Sequence, residues 1–208
     1  MPAPPTDVAA TAIRMPATPN AGLPKGAGQP PTRLVIPKMN LDVGIREAMQ
    51  TTFEQSGQLY ADWSVPYNAV GHLATTVNPG EAGNMVISGH HNLIGPNQFG
   101  KGLFGGLWDL QAGDAIYVFD ESGRAFVYSV SRSYNVKEAG ESFSVREQHA
   151  RDILADTGEP ILTLITCWNG AAAPYSGNTY RWVVAAHLVN SIGPGQVPVI
   201  VGNPTPMQ

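Results

Sequence analysis

Cys167, the only cysteine of the 208-residue chain, is the first candidate for a chemical role. A thiol attacks a carbonyl carbon only as the thiolate, so it needs a base nearby or a lowered pKa. The adjacent His90 and His91 are the strongest of the five histidines as that base, because they stand at a predicted loop rim. Arg181 could stabilise a tetrahedral oxyanion, since a guanidinium is planar and permanently charged. Taken singly, Cys167 also fits an ordinary core residue and Arg181 an ordinary surface arginine.

The segment that carries Cys167 predicts a strand. Residues 161–168 are apolar and β-branched, Pro160 precedes them, and the Asn169–Gly170 pair favours a loop after them. Cys167 is therefore expected at the end of a rigid strand, where the adjoining loop leaves room for a substrate.

The two histidines follow a second predicted strand, residues 84–90. Side chains alternate between the faces of a strand, so only one of His90 and His91 is expected to face the thiol. Parity favours His90, but a bulge at Gly89 would exchange the two, so alternation alone does not decide between them. The same alternation disfavours a metal site built from this pair.

The predicted last strand, residues 180–190, places Arg181 on a face that also carries His187. The opposite face is uniformly apolar and is expected in the core; its members are Trp182, Val184, Ala186 and Leu188. This arrangement spares the guanidinium the free-energy cost of unpaired burial.

The remaining pattern is mostly β. Short strands are predicted at residues 33–37 and 41–45, and a hairpin at 115–130. Ser144 and Glu147 match a capping box and predict a helix over residues 145–154. Residues 63–80 have mixed periodicity, from which we expect a short helix. Seven or eight strands without βαβ alternation predict an all-β barrel or sandwich.

Composition restricts the possible functions and predicts three regions. The formal net charge of −4 and the pI of about 5.7 disfavour binding to nucleic acid or to an anionic membrane. A single cysteine excludes an internal disulfide. Residues 1–31, rich in Pro, Ala and Gly, predict a flexible leader or stalk, residues 32–192 are expected to form the folded domain that holds the candidate catalytic residues, and residues 193–208 a tail.

Three of these segments resemble sortases, the cysteine transpeptidases that attach proteins to bacterial cell surfaces. Residues 163–167, Thr-Leu-Ile-Thr-Cys, are similar to the family's Thr-Leu-X-Thr-Cys signature. Residues 87–90, Ile-Ser-Gly-His, resemble the strand that delivers the family's histidine, and Arg181 resembles its arginine. Residues 33–37 and 79–84 are also similar, so the likeness covers about residues 32–192.

The resemblance implies an eight-stranded sortase-like β-barrel with one or two short helices. It implies Cys167 as the nucleophile, His90 as the acid and base, and Arg181 as the stabiliser of the oxyanion or substrate. Candidate substrate contacts are the neighbours of these residues in the sequence, namely Thr166, His91, Asn92 and Trp168.

The resemblance also implies the partners. Sortases cleave a C-terminal sorting signal, often of the Leu-Pro-X-Thr-Gly type, and pass the acyl group to an amine of a peptidoglycan precursor or a pilin lysine. No cofactor or metal is expected. Calcium could bind acidic loop residues such as Glu138, Glu141 and Asp156, but ordinary solvated charge is the simpler explanation.

Sortases usually carry an N-terminal membrane anchor, and the printed sequence has no apolar stretch of transmembrane length. We therefore expect a longer product anchored at the cell surface, and the printed chain alone to be soluble. Two alternatives stay open from the sequence. One is a cysteine hydrolase or peptidase with the same triad, and the other is a non-catalytic β-barrel binding module.

Overall fold

Eight strands close into a barrel in the computed structural model, which describes residues 28–55, 58–95, 98–172 and 178–196. The barrel strands are β1 (Pro31–Ile36), β2 (Leu41–Ala48), β5 (Val70–Leu73), β6 (Gly83–Ser88), β9 (Ala115–Asp120), β10 (Ala125–Lys137), β11 (Pro160–Trp168) and β12 (Tyr180–Ile192). Around the barrel they follow the order β1, β2, β5, β6, β11, β12, β10, β9. The prediction of an all-β, eight-stranded barrel is confirmed.

Two hairpins stand outside the barrel. One is formed by β3 (Gln50–Gln55) and β4 (Gln58–Trp63), and the other by β7 (Asn92–Gly95) and β8 (Gln98–Lys101). The prediction of a short helix within residues 63–80 is wrong, because this segment contains the end of β4, a loop that bends at residues 67–69, β5 and two turns. Pro66 accounts for part of the difference, since the residue before a proline is pushed out of the helical region.

The single α-helix among the described residues, α1 (Phe143–Leu154), lies between β10 and β11. It begins two residues earlier than predicted. The hydroxyl of Ser142 accepts a hydrogen bond from the main-chain N–H of Val145, so Ser142 is the N-cap. Ser144, the predicted cap, instead places its hydroxyl 3.1 Å from that of Ser142. Two short 3-10 turns, Pro37–Met39 and Leu107–Asp109, complete the described elements.

Inward-facing side chains fill the barrel. On β12 the predicted apolar face is confirmed, because Val184, Ala186 and Leu188 lie in the core and Trp182 packs at its edge. His187, on the other face, is exposed. The contributions of β6 and β11 are Met85, Ile87, Leu162 and Leu164. These contacts fix the faces of the strands that approach the candidate site.

Two adjacent barrel strands, β11 and β12, carry Cys167 and Arg181, and a third, β6, leads to His90. β6 pairs in parallel with β11, with Ile165 opposite Ser88, and β11 pairs antiparallel with β12. The C-terminal ends of β6 and β11 therefore open at the same rim of the barrel. β6 ends at Ser88 rather than His90, so strand parity does not extend to the two histidines.

The predicted leader and tail fall largely outside the described residues, which exclude 1–27 and 197–208. Residues 28–31 of the predicted leader pack onto the barrel. The main-chain N–H of Gln29 donates to the carboxylate of Asp120, and that of Glu121 donates to the carbonyl of Pro30. These four residues of the predicted leader therefore contact the barrel, and the rest of that prediction lies outside the described residues. Among the described residues, no helix is long and apolar enough to cross a membrane.

Candidate active site

A cavity of about 650 Å³ lies over the rim where β6 and β11 end. Its wall brings together six of the seven predicted site residues, namely Cys167, His90, Arg181, Thr166, His91 and Asn92. The seventh, Trp168, packs its ring on Trp182, at a centroid separation of 4.9 Å, and on Tyr180, at 5.4 Å. Trp168 is absent from the described wall of the cavity.

Cys167 and Arg181 are direct partners in the register of β11 and β12. The guanidinium of Arg181 donates from Nη1 to the sulfur, and both side chains are half-buried. Burial raises the pKa of the Cys167 thiol, the charge of Arg181 opposes that rise, and the carboxylates of Asp62 and Glu138 add to it. The pKa remains raised, so the resting thiol is protonated at neutral pH and needs a base to become a nucleophile.

The His90 side chain is held by the loop between β4 and β5. Its Nε2 lies 3.0 Å from the carbonyl oxygen of Val65, and its ring stacks on that of Tyr67, with centroids 4.2 Å apart and planes at 13°. The main chain of His90 is fixed as well, because its carbonyl accepts a hydrogen bond from the N–H of Phe104 at 2.9 Å. His90 therefore enters the cavity with a defined ring orientation.

His91 is turned further into the protein, with only 2% of its surface exposed. Its carbonyl accepts a hydrogen bond from the N–H of Gly102 at 2.9 Å. Gly102 has to be a glycine, because a Cβ there would lie 2.4 Å from the carbonyl oxygen of His90. Of the two histidines, His90 is the more accessible from the cavity.

Thr166 links the cysteine strand to the histidine segment. Its hydroxyl donates a 2.7 Å hydrogen bond to the carbonyl of Gly89, and the residue is buried. The N–H of Gly89 in turn donates to the carbonyl of Ile165. These two bonds fasten the segment before His90 to β11. A substrate contact by Thr166, His91, Asn92 or Trp168 stays a prediction.

Two parts of the cavity wall are not predicted from the sequence. Val65 and Tyr67 lie in the segment expected to be a helix, and their contacts to His90 depend on residues that are remote in sequence. The helix α1 lines another part of the wall through apolar side chains that include Phe143, Ala150 and Leu154. The only indication in the sequence is residues 63–67, a stretch with two aromatic residues and a proline whose pattern has neither helical nor strand periodicity.

The carboxylates considered for calcium have partners within the protein. Glu138 forms an ion pair with Arg146 at 3.2 Å, and Glu141 one with Lys137 at 3.0 Å. Asp156 accepts a hydrogen bond from the N–H of Gly158. Across residues 28–55, 58–95, 98–172 and 178–196, no group of three or more His, Cys, Asp or Glu side chains is arranged to hold a metal ion.

Comparison with known proteins gives one consistent result. A family model described as a sortase domain matches residues 34–189. The SrtA sortase from Actinomyces oris is 28% identical with a TM-score of 0.54, over 80% of this chain and 83% of that chain. Sortase C-1 from the same organism is 26% identical with a TM-score of 0.53, over 76% of this chain and 73% of that chain.

Sortase A from Listeria monocytogenes shares the fold at 17% identity, with a TM-score of 0.52 over 80% of this chain and 90% of that chain. No curated protein sequence matches the chain at a significant level.

Proposed function

The chain belongs to the sortase family, and we propose that Cys167, His90 and Arg181 carry out the transpeptidation that defines a sortase. Sortases are cysteine transpeptidases of the cell surface that act on proteins bearing a sorting signal and transfer them to an amine. The observation that carries the residue assignment is the meeting of a unique thiol, a cation and an imidazole in the wall of one cavity.

In the first half-reaction, the Cys167 sulfur attacks the carbonyl carbon of the scissile peptide bond. His90 takes the thiol proton as the S–C bond forms, because the raised pKa of the thiol leaves it protonated at rest. Arg181 stabilises the tetrahedral oxyanion by hydrogen bonding and charge. His90 then gives its proton to the leaving nitrogen as the C–N bond breaks, which leaves a thioester on Cys167.

In the second half-reaction, an acceptor amine attacks the thioester carbonyl. His90 takes the proton from the attacking nitrogen, and Arg181 again faces the oxyanion. The thiolate leaves as the C–S bond breaks and recovers its proton from His90. The new amide is released, and the resting site is restored without a cofactor. Sortase chemistry in general needs none.

The finer assignments extend the same proposal. The substrate is a protein with a C-terminal signal of the Leu-Pro-X-Thr-Gly type, which lies in the cavity between the His90 loop and α1. The acceptor is an amine of a peptidoglycan precursor or a pilin lysine. The site of action is the outer face of the bacterial membrane, to which the full-length protein is anchored. The support for these assignments is membership of the family.

A product analysis tests the proposal. The protein is incubated with a library of peptides that carry C-terminal sorting signals, with and without triglycine or a lysine peptide as acceptor. We expect a thioester adduct on Cys167 by mass spectrometry and an amide product that depends on the amine. Release of only the free acid at saturating amine would identify a hydrolase. Turnover that persists in Cys167→Ala would exclude the thiol mechanism.

A further inference from the structure

One contact of His90 determines which ring nitrogen carries its proton. Nε2 lies 3.0 Å from the carbonyl oxygen of Val65. A carbonyl oxygen only accepts hydrogen bonds, so Nε2 is the donor and bears the hydrogen in the neutral ring. Nδ1 is then the nitrogen that is free of a proton and able to receive one. Tyr67 covers one face of the same ring, which limits the rotation that would exchange the two nitrogens.

The main chain that presents the Val65 carbonyl is anchored at the base of the β3–β4 hairpin. The N–H of Ser64 donates to the carbonyl of Met49 at 3.1 Å, and the N–H of Met49 donates back to the Ser64 hydroxyl at 3.2 Å. Pro66 restricts the residue before it to extended conformations, which limits the direction of the Val65 carbonyl. The acceptor for His90 is therefore a fixed part of the structure.

The side chain of Val65 packs on β5 at a glycine. A Cβ at Gly71 would lie 3.5 Å from a methyl group of Val65 and 2.8 Å from the Cβ of Ala48. Val65 thus lies at van der Waals distance from position 71 of β5, whereas the contact that excludes a side chain there is with Ala48 of β2. The loop and the barrel together fix the distance between the Val65 carbonyl and the histidine segment.

We propose that the Val65 carbonyl and Tyr67 are positioning groups that hold His90 as the Nε2–H tautomer and make Nδ1 the proton-transferring atom. The inference rests on the proposed function, in which His90 exchanges a proton with Cys167. The thiol proton moves to Nδ1 as sulfur attacks, and it leaves Nδ1 for the departing nitrogen as the C–N bond breaks. Throughout, Nε2–H stays hydrogen-bonded to the carbonyl oxygen of Val65, and the Tyr67 ring faces the transient imidazolium.

The tautomer can be observed without any substrate. In protein labelled with ¹⁵N-histidine, the His90 signals are assigned by their loss in His90→Gln. At a pH where the ring is neutral, we expect the bound hydrogen on Nε2 and a pyridine-like shift for Nδ1. A His90 ring with its hydrogen on Nδ1 would overturn the proposal. This readout is independent of turnover, so it separates a failure of the inference from a failure of the proposed function.

Kinetics test the part assigned to Tyr67. We expect Tyr67→Ala to lower kcat by about 2- to 10-fold, the range equivalent to one aromatic stacking contact, with little change in KM. Tyr67→Phe keeps the ring and should recover most of that rate. In a His90→Ala background, Tyr67→Ala should cause no further loss. An unchanged kcat in Tyr67→Ala, or an equal loss in both backgrounds, would contradict a positioning role.

Discussion

Arg181 stands directly opposite Cys167 on the neighbouring antiparallel strand and donates a hydrogen bond to its sulfur. The pairing is set by the main-chain register of β11 and β12, and a slip of β12 by one residue would turn Arg181 to the face of the sheet away from the sulfur. The pairing of the two strands therefore places the guanidinium beside the sulfur. His90, the proposed proton acceptor, lies instead in the loop that follows β6, and its ring is held by Val65 and Tyr67.

Removal of the thiol should abolish transpeptidation. Replacement of Cys167 by Ala removes the only nucleophilic sulfur and changes the side-chain volume little. We expect a loss of at least about 10⁴-fold in kcat/KM, the scale seen when a catalytic nucleophile is removed. Thermal unfolding should shift by only a few degrees. A variant that unfolds, or one that keeps its turnover, would contradict the assignment.

The two adjacent histidines should differ in what their substitution costs. His90→Ala should lower kcat by about 10²- to 10⁴-fold, the usual contribution of a general acid and base, and should leave the protein folded. His91→Ala should keep most of the activity per folded molecule but lower the melting temperature, because His91 is buried and its removal leaves a cavity. The measurements are the kcat and the melting temperature of both variants. The reverse ranking would assign the catalytic base to His91.

The charges of Arg181 and Asp62 should shift the pKa of the Cys167 thiol in opposite directions. Arg181 lowers the pKa of Cys167, whereas Asp62 raises it. In a His90→Ala background, Arg181→Gln should shift the midpoint of iodoacetamide alkylation to higher pH, and Asp62→Asn should shift it to lower pH. The Asp62 effect should weaken in high salt, because that side chain is exposed. Midpoints that move together would show that geometry, rather than charge, governs the thiol.

Arg181 should also be needed for turnover beyond its effect on the thiol. Arg181→Gln should lower kcat by about 10²- to 10³-fold, as expected for the loss of an oxyanion donor. Arg181→Lys keeps the charge but loses the planar fork, so it should restore the alkylation midpoint more fully than the turnover. Equal recovery of both quantities would limit the role of Arg181 to its charge.

Gly89 should tolerate no side chain. A Cβ at this position would lie 2.6 Å from two ring carbons of Phe104, a residue that is fully buried. Gly89→Ala should therefore destabilise the fold by about 1–3 kcal/mol, the usual cost of overpacking. The matched control is Gly44→Ala, where the nearest atom to the new Cβ is a carbonyl oxygen at 4.0 Å. Urea unfolding compares the two variants, and equal midpoints would contradict the close approach at Gly89.

Acid should destabilise the fold through His72. Burial is the main cause of the lowered pKa of His72, and its hydrogen bond to the carbonyl of Val77 opposes that effect. The unfolded chain therefore binds this proton before the folded protein does, and stability falls as the pH drops below the ordinary value of 6.5. His72→Gln should flatten the fall in unfolding free energy, whereas the exposed His187→Gln should not. An unchanged slope in His72→Gln would assign the acid sensitivity to other groups.

Part of this structure follows from local sequence rules. The apolar face of β12 places Val184, Ala186 and Leu188 in the core by alternation alone, and the same alternation turns Arg181 outward. The orientation of His90 does not follow in this way, because β6 ends at Ser88 and the ring is fixed by Val65 and Tyr67.

Such long-range contacts have no local signature. The predicted start of α1 is two residues too late for a related reason. Ser142 and Ser144 are equally good caps in isolation, and the surrounding chain decides between them.

The place of β12 in the barrel has a consequence for biosynthesis. β12 pairs with both β10 and β11, and it is the last barrel strand in the chain to be translated. Until residues 180–192 have emerged from the ribosome, the sheet stays open and Cys167 lacks its cation. A chain that stops before β12 therefore has the thiol without the guanidinium that would face the oxyanion. Formation of the contact between the thiol and the guanidinium is therefore coupled to closure of the barrel.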